Sequence, residues 1–307
     1  MAGLRKQEAL MGRTQCPLCG QSSELRFASR DFNRKLSKQA FDYFRCPGCR
    51  VIFLSPLPPN LSQYYPESYY TLPESWAELD LIFAPERYKL GIVNRFVKGG
   101  RLLEIGPGCG GFVYLAKQAG FEVAAIEMDL RCCGFLSKVI GIRAIHSTNE
   151  CEALQEVEPF NVVALWHVIE HLADPVRTLE AIARRLLPGG IVVIAAPNPD
   201  AFQFHILGRY WPHVDAPRHL MLIPAAVLMK KMESLGLKTV LFTTSDEGSR
   251  GWNIFGWDFF FGNMCSLPLI HQLLRVIGKA VGWVLSPIER REGKGSAYTL
   301  VFQRERA

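Results

Sequence analysis

The stretch Leu102-Leu-Glu-Ile-Gly-Pro-Gly-Cys-Gly-Gly-Phe112 constrains this chain more than any other. An apolar run with strand character breaks into a glycine turn, and the turn opens a helix. Gly106, Gly108 and Gly111 carry the G-x-G-x-x-G spacing of dinucleotide-binding folds, in which bare backbone lets a ligand approach and the helix N-terminus takes a pyrophosphate. Glu104 argues against a pyrophosphate here. It stands two residues before the first glycine, at the carboxyl end of the strand where ligands bind in such folds, and its charge would repel phosphate.

A ligand with a sulfonium, an α-ammonium and no phosphate gains from that carboxylate, and S-adenosylmethionine is such a ligand. Glu127 ends the next apolar run, Phe121-Glu-Val-Ala-Ala-Ile126, with Met128 beside it, and an acid there accepts both ribose hydroxyls. In these residues the chain resembles the class I S-adenosylmethionine-dependent methyltransferases, whose first motif, (E/D)-x-G-x-G-x-G, is matched by Glu104-Ile-Gly106-Pro-Gly108-Cys-Gly110. The stretches Ala164–Pro175, Leu186–Gly190 and Ala196–Asn198 resemble that family's later landmarks, in order. The resemblance covers roughly residues 90 to 307. It implies cofactor contacts at Glu104, Gly106, Gly108, Gly110, Glu127 and Met128.

Hydrophobic periodicity predicts strands over 102–105, 121–126, 142–145, 162–166, 191–195, 238–243 and 298–302, with helices near 110–119, 130–139, 175–187 and 224–235. Such alternation predicts an α/β fold, a doubly wound sheet. The resemblance makes it a seven-stranded, Rossmann-like methyltransferase sheet whose last strand runs antiparallel.

Ahead of that domain, Cys16-Pro-Leu-Cys19 and Cys46-Pro-Gly-Cys49 give C-x2-C-x26-C-x2-C. Four thiolates so spaced satisfy a tetrahedral structural Zn2+ with no vacancy for catalysis, which predicts a small N-terminal zinc ribbon over 1–55. A Pro- and Tyr-rich linker or lid follows over 56–89, with tyrosine pairs at Tyr64-Tyr65 and Tyr69-Tyr70. The methyltransferase domain takes up 90–307. A subgroup of class I methyltransferases from glycan and secondary-metabolite pathways carries a similar ribbon and tyrosine pairs, but commonly has Gly where this chain has Arg50. The tyrosines fold over the cofactor as a lid or pack the linker onto the main domain.

Two histidine-rich stretches are the candidates for acceptor chemistry. His167-Val-Ile-Glu170-His171 follows the fourth strand. Its spacing matches a zinc-protease motif in form, but that motif needs a long helix rather than a strand end. Ubiquinone-type O-methyltransferases have a similar E-x-x-E-H here and bind a divalent metal with it; His167 replaces the first acid. Trp211-Pro-His213-Val-Asp215-Ala-Pro-Arg218-His219-Leu220 resembles the D-x-P-R-H-L of some ribbon-bearing methyltransferases. His219 is the first choice of general base, with Asp215 or Arg218 orienting it or the acceptor. His167 is the alternative base, and Glu170 and His171 either join the chemistry or anchor the next helix.

Net charge is +6, with ten Lys and Arg against four Asp and Glu in residues 1–50 and balance thereafter. The basic module leaves an RNA methyltransferase as the rival reading. No N-P-P-(Y/F) follows the fourth strand, which weighs against base amines and favours a small-molecule acceptor methylated at O or C. A non-catalytic cofactor-binding scaffold is the second rival. Nine cysteines, with no apolar signal segment, lead us to expect a reducing cytoplasm, extended to peripheral contact with the inner face of the membrane. That extension rests on a hydrophobic insertion near 251–288. Within it Leu269, Ile270, Leu273, Leu274, Ile277, Val281, Val284 and Leu285 recur at helical spacing, opposite His271, Gln272, Arg275 and Lys279. Such a helix is expected to pack its apolar side on its own domain; the alternatives for segment 252–285 are an apolar acceptor pocket or docking on an anionic bilayer.

Overall fold

A computed structural model describes residues 13–73 and 78–306. The N-terminal part is antiparallel: β1 (Arg13–Gln15), β2 (Ser22–Arg30), β3 (Ala40–Arg45) and β4 (Ile52–Leu54) pair in sequence order. Two short helices, α1 (Leu79–Phe83) and α2 (Arg87–Val93), lead into the larger sheet.

There β5 (Arg101–Ile105), α3 (Gly111–Gln118), β6 (Glu122–Glu127), α4 (Leu130–Phe135), β7 (Arg143–His146) and α5 (Glu150–Ala153) alternate. Next come β8 (Phe160–Trp166), α6 (Pro175–Arg185), β9 (Leu186–Pro197) and α7 (Phe202–Leu207). The chain then runs through β10 (Met221–Leu222), α8 (Ala225–Ser234), β11 (Leu237–Thr243), α9 (Glu247–Gly262), α10 (Pro268–Glu289) and β12 (Ala297–Arg304).

Sheet order β11-β12-β9-β8-β5-β6-β7 realises the seven predicted strands. Central β5 and β8 are buried on both faces, as their unbroken apolar runs require, and they pair in parallel. The antiparallel strand is β12, which inserts between β9 and β11 and pairs antiparallel with both. From β5 the chain winds one way through β6 and β7; β8 returns to its other side. That reversal opens a crevice beyond the carboxyl ends of β5 and β8.

Aspartates cap helices α4 and α6. Asp129 accepts from the amides of Arg131 and Cys132 at the start of α4, and Asp174 from Arg177 ahead of Pro175 in α6. The ribbon sheet reaches the larger α/β part through a fifth strand. Met221 and Leu222 of β10 pair with Phe53 and Ile52 of β4, and one apolar cluster runs from Tyr43 and Phe53 to Leu220 and Leu300.

Candidate active site

Both cysteine knuckles repeat one backbone device. The Cys16 amide donates to Gln21 and its carbonyl accepts from Gly20; the Cys46 amide donates to Val51 and its carbonyl accepts from Arg50. The fifth position of each knuckle is left-handed, at φ +73° for Gly20 and +65° for Arg50. Arg50 therefore takes a conformation that favours glycine, and its guanidinium pairs at 2.5 Å with Asp200 of the body. The four sulfurs converge: Cys16 to Cys49 is 3.5 Å, Cys19 to Cys46 3.4 Å and Cys19 to Cys49 3.8 Å. Burial works against a Cys46 thiolate, but the Cys49 and Gly48 amides and the Cys19 thiol outweigh it and bring its pKa to about 6.

At the end of β5 the glycine turn takes left-handed φ at Gly106, Gly108 and Gly110. Glu104 is buried, one of its oxygens lacks any partner, and burial pushes its pKa up to about 8 with only partial relief from Lys89. An unpaired carboxylate buried beside bare backbone is a receptor for a cation. Glu127, at the end of β6, accepts from the amides of Gly108 at 2.9 Å, Met128 at 2.7 Å and Asp129 at 2.8 Å. Both acids and the turn thus form one surface, and Met128 lies half exposed at its rim. Donor chemistry and bare backbone fit S-adenosylmethionine.

The tyrosine pairs divide their work. Tyr64 packs edge-on to Phe41 in the shared core. Tyr65, Tyr69 and Tyr70 form a chain of ring contacts, and the Tyr70 ring lies so close to the turn that a Cβ on Gly108 would meet it at 2.7 Å. Arg131 donates to the Glu67 carbonyl, which ties this segment to the start of α4.

Beyond β8, Glu170 is buried with both oxygens free of hydrogen bonds, and histidines surround it. His167 Nδ1 stands 3.6 Å and His219 Nε2 4.0 Å from Glu170 Oε1, too far for hydrogen bonds but close enough for charge attraction. Burial alone would raise the Glu170 pKa; the histidines outweigh it and hold the carboxyl below its ordinary range. His219 donates through Nδ1 to the His213 carbonyl at 2.8 Å, which leaves Nε2 as the acceptor nitrogen. His171 donates through Nδ1 to the Arg218 carbonyl at 2.9 Å, 3.0 Å from the Tyr65 hydroxyl, and burial drops its pKa to about 4. Glu170, His171 and His219 bring ligand atoms within 4.8 Å of one another, a carboxylate and imidazole set that fits a divalent transition metal.

His167 is held at φ +57°, strained for a non-glycine residue, by a hydrogen bond that its amide donates to the Ala195 carbonyl at 2.9 Å. Its ring lies 4.8 Å from Trp252, which also meets His213 and Phe255. Helix α9 thereby supplies an aromatic wall beside the histidines.

Arg218 does not face this space. Its side chain is fully buried between Asp31 of the ribbon at 2.7 Å and Asp215 at 2.6 Å, so it orients no acceptor. Asn33 donates to Asp215 and to the Pro212 carbonyl, and Tyr43 donates to the His219 carbonyl at 2.9 Å. The ribbon holds the loop that carries His219. Sequence reading missed Asp31, Asn33 and Tyr43, because an acid, an amide and a phenol in an N-terminal strand and turn give no sign of partners some 180 residues away.

Similar curated proteins include the ubiquinone biosynthesis O-methyltransferase of Aeromonas salmonicida (strain A449), 31% identical over 152 residues, 45% of this chain and 63% of that protein. That of Caulobacter sp. (strain K31) is 32% identical over 106 residues, 33% of this chain and 42% of that protein. The chain thus spans less than two thirds of the length of these relatives. Among solved structures, a SAM dependent methyltransferase from Archaeoglobus fulgidus matches with a TM-score of 0.50 at 19% identity, over 74% of this chain and 94% of that one, a likeness of fold. The sequence pattern of the methyltransferase domain family matches residues 82–241, from α1 through β11. With more than half its length in that match and the turn, sheet order and paired acids in place, the chain belongs to the methyltransferase domain family, on the fold of the S-adenosylmethionine-dependent methyltransferases.

Proposed function

We propose that the chain transfers a methyl group from S-adenosylmethionine to a hydroxyl, or an acidic carbon, of a small apolar or lipid-linked biosynthetic intermediate. The observation that carries this reading is His219, whose Nε2 is left as the acceptor nitrogen 4.0 Å from the buried Glu170 carboxylate and 3.9 Å from Asp215. S-adenosylmethionine, when bound, supplies an electrophilic methyl. Glu104 pairs with its ammonium, Glu127 takes its ribose, and Tyr70 covers the turn. His219 accepts the proton of the acceptor hydroxyl, and Glu170 offsets the imidazolium charge that follows. His167 and Trp252 seat the acceptor, and His167 is the alternative base. Catalysis then rests largely on alignment in a water-poor crevice.

The O-methyltransferase names of the relatives support oxygen as the acceptor atom. Glu170, His171 and His219 are the residues that would hold a divalent cation; it would take up the His219 Nε2 lone pair and polarise an acceptor oxygen, leaving His167 as the base in that case. The four ribbon cysteines would hold structural zinc: a Zn–S bond of about 2.3 Å sets the sulfurs of a tetrahedral site ~3.8 Å apart, near the spacing here. Metal analysis of Cys46→Ser against the native chain tests that site.

A second reading, RNA as acceptor, draws support from a cavity of about 350 Å³ between ribbon and body, bordered by Arg26, Arg45, Arg50 and Arg209. One experiment separates the readings. Labelled cofactor is offered with prenylated and unprenylated phenols and with bulk RNA. Label in a phenol that vanishes in His219→Ala supports the first, label in RNA supports the second, and label in neither, with intact cofactor binding, leaves a scaffold.

A further inference from the structure

Helix α10 meets only part of the expectation that its apolar side packs on its own domain: Val281 and Leu285 pack on the core and Leu274 is half-buried, while the rest of the stripe faces out. Polar contacts complete the seat: Arg275 makes two hydrogen bonds, at 2.8 and 2.7 Å, to Asp258 of α9, His271 donates to the Gly262 carbonyl at 2.8 Å, and Glu289 accepts from Trp257 at 2.9 Å. Gly278 lies against the α9 backbone so closely that a Cβ would meet the Trp257 carbonyl oxygen at 2.6 Å. On the outward side, Leu269 is 85% exposed, Leu273 60%, Val276 63%, Trp283 80% and Val284 64%.

At 100° per residue these side chains, with Ile270 and Ile277 at the flank, span roughly 140° of the helix surface over ~23 Å. That is far wider than the seam of a paired coiled coil, which uses two positions in seven, and it matches a helix lying in a lipid interface. Charge selects the occupant. Between Asn263 and Lys294, setting aside Arg275 in its pair with Asp258, the exposed ionised side chains are Lys279, Arg290, Arg291 and Lys294 against Glu292 alone. An apolar face with Trp283 near its edge and a basic end suits anionic headgroups. No helix among the described residues is long and apolar enough to cross a membrane, so the contact lies in the plane.

We propose that α10 docks the chain on an anionic bilayer surface, with its apolar face sunk to the acyl boundary. The other partner of this arrangement is α9. Its far end carries Trp252 and Phe255 to the histidine cluster, so docking would set the aromatic side of the crevice next to the lipid. The docking stands apart from the identity of the acceptor.

The test is flotation of the full chain with vesicles of phosphatidylcholine alone and of phosphatidylcholine mixed with phosphatidylglycerol. The native chain should bind the mixed vesicles, roughly tenfold or more above the neutral ones. Leu273→Glu with Val276→Glu should abolish binding to both. Arg290→Glu with Arg291→Glu should abolish the preference for anionic lipid. Calorimetry with S-adenosylhomocysteine serves as the folding control, since all four positions are exposed and far in sequence from the glycine turn. Failure of that binding in the native chain speaks against the cofactor reading and not against docking. No vesicle binding by the native chain, or unchanged binding in the Leu273/Val276 variant, overturns the proposal. So does a native dimer in sedimentation that this variant turns into monomer, because the occupant is then a second copy.

Discussion

The two ends of the crevice solve the same problem with opposite means. Each contains a buried glutamate without hydrogen bonds to satisfy both oxygens, Glu104 at the cofactor end and Glu170 at the acceptor end. Near Glu104 the relief from Lys89 is countered by Glu86 and Glu127, so burial governs and its pKa climbs to about 8. Glu170 sits among three imidazoles, so attraction governs and its pKa falls. The cofactor end is built from two adjacent strand and turn units of the chain. The acceptor end is assembled from Asp31, Tyr65, His167 to His171, His213 to His219 and Trp252, drawn from five segments. A carboxylate's role is therefore set by its neighbours, and only one of the two neighbourhoods is local in sequence.

The sharpest separation of the two ends comes from His219→Ala. Turnover is expected to fall by about 10² to 10⁴ while affinity for S-adenosylhomocysteine stays level, since His219 touches only the acceptor end. Loss of both would merge the two ends into one unit. Next in size is the clamp between ribbon and loop. Arg218→Ala leaves Asp31 and Asp215 buried without their cation and should cost about 3–5 kcal/mol by urea unfolding.

The same clamp predicts acid sensitivity. Burial would raise the Asp215 pKa, but Arg218 and His219 hold it down at about 2, below the usual 3.8. The native state therefore binds fewer protons than the unfolded one in that window. The contribution is present above about pH 4 and is lost as pH falls toward 2. Thermal unfolding across that range should show Asp215→Asn less steeply acid-sensitive than the native chain.

At the cofactor end, Glu127→Ala should weaken S-adenosylhomocysteine by about 1–3 kcal/mol in calorimetry, the size of a charge-assisted hydrogen bond to ribose. Glu104 gives a pH test of similar scale. Its folded pKa is raised, so folding favours the protonated form: the associated stability, present below about pH 4.5, is lost as pH rises toward 8. A bound ammonium demands the ionised form. Affinity should rise by up to about tenfold per pH unit until pH 8, with a proton released on binding, and Glu104→Gln should be flat. The smallest effect is expected at Arg50→Gly, where relief of a left-handed φ and loss of a largely exposed ion pair oppose each other within about 1 kcal/mol of unfolding free energy.

What the amino-acid sequence determined by itself is the seven strands, the turn from Gly106 to Gly111, the places of Glu104 and Glu127 at strand ends, and the two cysteine pairs. The turn and each cysteine knuckle bring together residues a few positions apart, and the strands recur with a fixed period, so spacing places each piece; the repeated knuckle and strand-turn patterns then mark which pieces share a site. The histidine cluster was legible as two stretches of polar residues after strands, but not as one site, because nothing local says that His219 turns its Nε2 to Glu170. Tertiary structure decided the rest. The ribbon became a support for the His219 loop through β10, Asp31 and Tyr43, and Arg218 became a clamp rather than an acceptor contact. The periodicity of α10 showed an apolar stripe; it could not show that Leu269, Leu273 and Val284 face out while Val281 and Leu285 pack in, which the contacts of Arg275, Gly278 and Glu289 with α9 settle.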